Sequence, residues 1–134
     1  MSYASSAFAA YKSVDLHTQI EGASPHELVN LLYQGALDKI AKMRGHIQNG
    51  DTAAKGEEAG KIIAIVSELQ ASLSTENGSD ISDNLDALYT YIIELVVAAN
   101  VNNNTKSLDE AKDLVANIQE TWKMIPPEHH NRTR

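Results

Sequence analysis

The histidines, acids and serines of this chain are the groups with which it could do chemistry. Five histidines stand at positions 17, 26, 46, 129 and 130. His26-Glu27 opens like a zinc-protease helix, whose metal needs a second histidine four residues on, on the same face. That position holds Asn30. Di-iron bundles need paired Glu-x-x-His motifs pointing inward, and the sequence contains none. The His129-His130 pair reads as a solvated tail. Ser24 is accounted for by helix capping, no serine sits in a Gly-x-Ser-x-Gly turn, and no Gly-rich phosphate loop occurs. Glu57-Glu58 and Asp83/Asp86 read as solvated helix faces. Cysteine is absent, which removes disulfides, thiolate metal sites and a thiol nucleophile. The expectation is a protein that is not an enzyme and needs no cofactor or metal.

Charge narrows the partners. A formal net charge of −7 argues against nucleic acid, because duplex affinity rests largely on Lys and Arg neutralising phosphates. No apolar run approaches the ~20 residues of a membrane span. The most apolar stretch, Tyr91 to Ala99, is interrupted by Glu94. The first residues, Met1-Ser2-Tyr3-Ala4-Ser5-Ser6-Ala7-Phe8, lack the basic start and apolar core of a signal peptide. Together these point to a soluble, cytoplasmic protein with no membrane insertion.

The elements that would position any site are helices. Ser24-Pro25-His26-Glu27 is a helix start: Ser24 and Glu27 form a capping box, and Pro25 suits the first helical position. Leu28, Leu32, Ala36, Ile40, Met43 and Ile47 then recur at 3–4 spacing as far as about Gln48. Gly50 can take the left-handed cap, and Asp51 or Thr52 can start the next helix. That helix runs from about Thr52 to Ser74, with Ala59, Ile62, Ile63, Val66, Leu69 and Leu73 on one face. Its first half is poor in large apolar groups, so it is either loosely packed or closely approached by a neighbour. After the polar turn 75–79, a third helix runs from about Asp80 to Asn102. Within it Ile92, Ile93, Leu95, Val96 and Val97 spread over about 200° of the circumference, twice the usual stripe. Such a helix either touches two neighbours or lines a groove. A fourth begins with Thr105 as cap, or with Ser107 and Glu110 as a capping box. It carries Leu108, Ala111, Val115, Ile118, Trp122 and Ile125, and stops at Pro126-Pro127.

Four helices joined by short turns predict an all-α, antiparallel up-down four-helix bundle over residues 23–126. A short N-terminal arm (1–22) precedes it, and a disordered tail (127–134) follows. With chemistry set aside, the excess apolar surface suits a groove for a partner's amphipathic helix.

The sequence Ala23-Ser24-Pro25-His26-Glu27-Leu28-Val29-x-Leu31-Leu32-Tyr33-x-Gly35-Ala36 resembles the signature helix of the flagellin-specific export chaperones, the FliS family. The likeness continues in Gly50-Asp51-x-x-Ala54-Lys55 and in Asn77-Gly78-x-x-Ile81-x-x-Asn84-Leu85-x-x-Leu88-Tyr89-x-Tyr91-Ile92. That third piece is followed by Ala99-Asn100, and Ala116-x-Ile118-x-x-Thr121-Trp122 is the fourth. Four pieces in the right order and spacing are specific. The chain departs at Glu94-Leu95-Val96-Val97, where the family usually has a basic pair; this bears on an electrostatic contact more than on the groove.

The resemblance implies a cytosolic chaperone that binds the C-terminal region of flagellin, prevents its polymerisation and assists delivery to the flagellar type III export apparatus. It implies an export-gate component as second partner, a homodimer in the unliganded state, and an arm able to cover the client groove. Tyr3, Phe8 and Tyr11 match the family's Tyr/apolar/Tyr pattern in that arm. The expected partner-binding residues are Phe8, Tyr11, Leu28, Leu31, Leu32, Tyr33, Ile40, Ile62, Val66 and Tyr89, each of the bundle positions being equally compatible with the core. The alternative is a four-helix signalling or adaptor module, with His46 as phosphotransfer residue; His46 stands against it, since His-Ile-Gln-Asn-Gly leads straight into a helix end.

Overall fold

The computed structural model describes residues 24–73 and 80–124. They form four α-helices: α1 (Pro25–Asn49), α2 (Thr52–Leu73), α3 (Asp80–Asn102) and α4 (Thr105–Met124). The expected arm over 1–22, with Phe8 and Tyr11, and the expected tail over 127–134 lie outside the described residues.

Local chemistry fixes where each helix starts and stops. The capping box of α1 is fully formed: Glu27 N donates to Ser24 Oγ (3.2 Å) and Ser24 N to Glu27 Oε1 (2.9 Å). At the far end Gly50 takes φ 72°, a left-handed conformation that only glycine adopts without steric cost. From there Gly50 N donates to Ile47 O and Asp51 N to His46 O, which satisfies carbonyls that the end of α1 leaves open. Asp51 Oδ1 accepts from Ala54 N and starts α2.

The cap of α4 differs from the expected one. Asn104 Oδ1 accepts from Lys106 N (3.0 Å) and Ser107 N (3.2 Å), so the cap lies just before Thr105. Asparagine is as good a cap as serine, and Asn103 at φ 54° turns the chain into it.

Each helix packs on two neighbours in a closed ring, α1 on α2 and α4, and α3 on α2 and α4. Two-residue connections at 50–51 and 103–104 make each joined pair antiparallel and seal one end of the bundle. Lys55 closes that end further: its Nζ donates to Asn103 Oδ1 at 2.8 Å, tying α2 to the α3–α4 turn. The chain enters α1 and leaves α4 at the other end.

The core is built from the expected stripes, with Ala36, Met43, Ile62, Ile92, Val96, Ala99, Leu108 and Ala111 fully buried. The apolar excess of α3 is mostly used by its two neighbours. Ile92, Leu95, Val96 and Ala99 are buried and Ile93 is half-buried, while Val97 and Val101 face outward. The glycine-rich start of α2 is open: a Cβ on Gly60 would meet nothing within 4 Å, and one on Gly56 only Asn100 Oδ1 at 4.0 Å. Close approach of a neighbour therefore does not explain these two glycines.

Candidate functional site

At the end opposite the two short turns, α1, α3 and α4 line an apolar groove of about 320 Å3. Tyr33 of α1, Leu85 and Leu88 of α3, and Ile118 and Trp122 of α4 supply its apolar lining. Asn117 and Thr121 are its polar members. The volume lies at the small end of the ~300–1,000 Å3 typical of ligand pockets. It suits a few side chains from one face of a helix.

Each wall has a local reason for its place. Tyr33 and Tyr89 are both buried, and their hydroxyls share a hydrogen bond of 2.7 Å between α1 and α3. Burial pushes both phenols above the ordinary tyrosine range. Tyr33 also meets the Trp122 ring edge-on, with centroids 6.3 Å apart. Trp122 is held in turn by His26: the rings stack with centroids at 5.1 Å and planes within 16°. Two hydrogen bonds join the same residues in opposite senses. Trp122 Nε1 donates to the His26 carbonyl (3.0 Å), and His26 Nε2 donates to the Trp122 carbonyl (3.3 Å). Trp122 stands in the last turn of α4, where carbonyls have no helical partner, so His26 satisfies one of them. One turn earlier in α4, Gln119 is buried and donates from Nε2 to Asn30 Oδ1 and Gln34 Oε1.

The residues expected to bind a partner separate into three positions. Leu32, Ile40, Ile62, Val66 and Tyr89 lie inside the core, at 0–5 % exposure. Leu28 and Leu31 are half-buried on α1. Tyr33 alone among them lines the groove. The other lining residues lie outside the expected set, although Leu85, Leu88, Ile118, Thr121 and Trp122 stand in the motif pieces. The signal for Leu85, Leu88, Ile118 and Trp122 is their place in those motif pieces together with their apolar spacing.

His46, the phosphotransfer candidate, is half-buried in the last turn of α1, and its carbonyl is taken by Asp51 N. Among the described residues no three His, Asp or Glu side chains are grouped to hold a metal ion. No helix among them is long and apolar enough to cross a membrane.

The profile of the family described as "Flagellar protein FliS" matches residues 7–129. The chain belongs to the FliS family. It is 38 % identical over 124 residues to the flagellar secretion chaperone FliS of Vibrio cholerae, covering 92 % of this chain and 91 % of the relative. It is 37 % identical over 126 residues to that of Salmonella typhimurium, covering 93 % of each. The flagellar secretion chaperone FliS of Bacillus subtilis is 31 % identical over 116 residues, or 87 % of this chain and 83 % of the relative. In this FliS chain the family-like motifs fall at the two ends of the bundle. Gly50, Asp51 and Lys55 build the sealed end; Leu85, Leu88, Ile118 and Trp122 line the groove, and Ser24 to Glu27 form the capped turn whose His26 holds Trp122. The acidic departure from the FliS pattern, Glu94, is exposed on α3. Beside it, Tyr91 Oη donates to Glu110 Oε2 at 2.7 Å.

Proposed function

We propose that this chain acts in the cytoplasm as a flagellin chaperone. It binds the C-terminal helical region of flagellin, keeps it from polymerising and assists its delivery to the flagellar export apparatus through a component of the export gate. It acts by binding and performs no reaction. The observation that carries this reading is the groove: an apolar cleft between α1, α3 and α4, in a member of a family whose curated relatives are named flagellar secretion chaperones.

An unassembled helical segment exposes the apolar stripe with which it would pack on its own kind. An apolar groove that takes anchors at i, i+3/i+4 and i+7 covers that stripe. The segment orders on binding and loses entropy in doing so, so the apolar contact must exceed that cost. Tyr33, Leu85, Leu88, Ile118 and Trp122 make the contact. Leu28 and Leu31 extend it along α1, and Phe8 and Tyr11 belong to the same interaction surface. Tyr89 holds Tyr33 through the shared hydroxyl bond, and Leu32, Ile40, Ile62 and Val66 belong to the core that carries the helices. Without client, the surface pairs with a second copy of the chain.

The test is calorimetric titration into full-length flagellin and into flagellin lacking its C-terminal helical segment, followed by size exclusion. The expected result is tight binding to the full-length form alone, with flagellin held monomeric. Equal binding to both forms, or to neither, overturns the assignment.

A further inference from the structure

Trp122 is a wide ring at the edge of a groove, and a surface indole left to itself samples several rotamers. Here its ring is caught by α1. The His26 ring lies against one face, its Nε1–H is taken by the His26 carbonyl, and its own carbonyl receives His26 Nε2–H. His26 is fixed beforehand by the turn it stands in: Ser24 and Glu27 close the capping box around it, and Pro25 sets the entry of the chain. The line of cause runs from cap to His26, from His26 to Trp122, and from Trp122 to the shape of the groove.

We infer that His26 is a positioning residue of the client site, which holds the Trp122 indole as a preformed wall for the client's apolar helix face. The inference rests on the groove being the client seat, as proposed above. His26 does not line the groove and acts through Trp122. Its contribution is preorganisation: a wall already held in its bound rotamer loses less freedom when the client arrives.

Trp122 is the single tryptophan of the chain, so its emission reads both its own mobility and the filling of the groove. The experiment titrates full-length wild-type, His26→Ala and His26→Gln proteins with monomeric, tryptophan-free flagellin. Emission, acrylamide quenching, calorimetry and thermal melting are recorded for each. Flagellin is expected to shift wild-type emission and reduce quenching. His26→Ala should bind on the order of tenfold more weakly, with Trp122 more quenchable before client is added. His26→Gln keeps a donor for the Trp122 carbonyl but loses the stacked ring, and is expected to recover part of the affinity.

A His26→Ala protein that melts earlier but binds flagellin as wild type does would show a purely structural residue, and would overturn this inference while leaving the proposed function intact. Calorimetric binding by wild type with unmoved Trp122 emission would remove the groove from the client site, and this inference with it. Should His26→Ala not fold, His26→Gln and Trp122→Phe carry the same comparison, and wild-type affinity in both overturns the inference.

Discussion

The hydroxyls of Tyr33 and Tyr89 meet at 2.7 Å inside the bundle, with each residue 3 % exposed. Each satisfies the other, so removing one oxygen leaves the second buried without a partner. Tyr33→Phe and Tyr89→Phe are each expected to cost about 1–3 kcal/mol. The double variant should cost clearly less than the sum, because both polar atoms then leave together. Urea unfolding of the three variants measures the coupling.

The same pair sets an alkaline limit. Burial raises both phenols above the ordinary value near 10. The folded state therefore keeps protons that the unfolded state loses. Their contribution is complete below about pH 10 and declines as pH rises beyond it. The double Phe variant should lose less stability above pH 10 than wild type does, as read from melting temperature against pH.

Lys39 behaves in the opposite sense. It is 1 % exposed on α1, and burial lowers its pKa, with the Glu58 carboxylate opposing. Glu58 Oε1 is itself buried with no hydrogen-bond partner, so the two charges attract without bonding. Desolvation of its ammonium disfavours the charged form. Stability should rise with pH between the lowered folded value and the usual ~10.4. Lys39→Met is expected to remove that slope, read from urea unfolding as a function of pH.

Gly60 stands in the interior of α2, where an added Cβ meets nothing within 4 Å. Gly60→Ala should stabilise the bundle by about 0.5–1 kcal/mol through helix propensity and a less free unfolded chain. Thermal melting reads this gain. Unchanged flagellin binding by the same variant would place the client away from this flank of α2.

Arg44 and Asp109 join α1 to α4 through two hydrogen bonds of 2.8 and 3.1 Å. The bond from Arg44 holds the Asp109 carboxyl below the ordinary carboxylate range. The pair's contribution is therefore present above about pH 4 and is lost as pH falls through the lowered value. Asp109→Asn should melt slightly below wild type at pH 7, with the difference closing in strong acid. The effect is small because both side chains remain well exposed.

Periodicity and capping made the bundle legible. The α1 start at Ser24-Pro25 and the stop at Gly50 follow from side chains two or three residues away, and so can be read locally. Asn104 was obscured because Thr105 and Ser107 beside it are also capping residues. Lys39, Lys55 and Gln119 are buried although their types predict exposure. Their burial depends on which neighbour lies across from them, and no stripe records that. The groove had the same difficulty. Leu32 and Tyr33 are adjacent and both buried, yet only Tyr33 reaches the lining, because its longer ring extends toward Trp122 while Leu32 ends in the core.

The two sealed turns bear on timing. Because 50–51 and 103–104 each join antiparallel neighbours, α1–α2 and α3–α4 are hairpins whose contacts are short-range along the chain. Local helical contacts of this kind form in roughly microseconds to milliseconds, whereas a ribosome adds residues at about 5–20 per second, so α1–α2 is paired while later helices are still being made. The groove comes after both hairpins, because it needs α1 beside α4 and the His26–Trp122 contact spans 96 residues of chain.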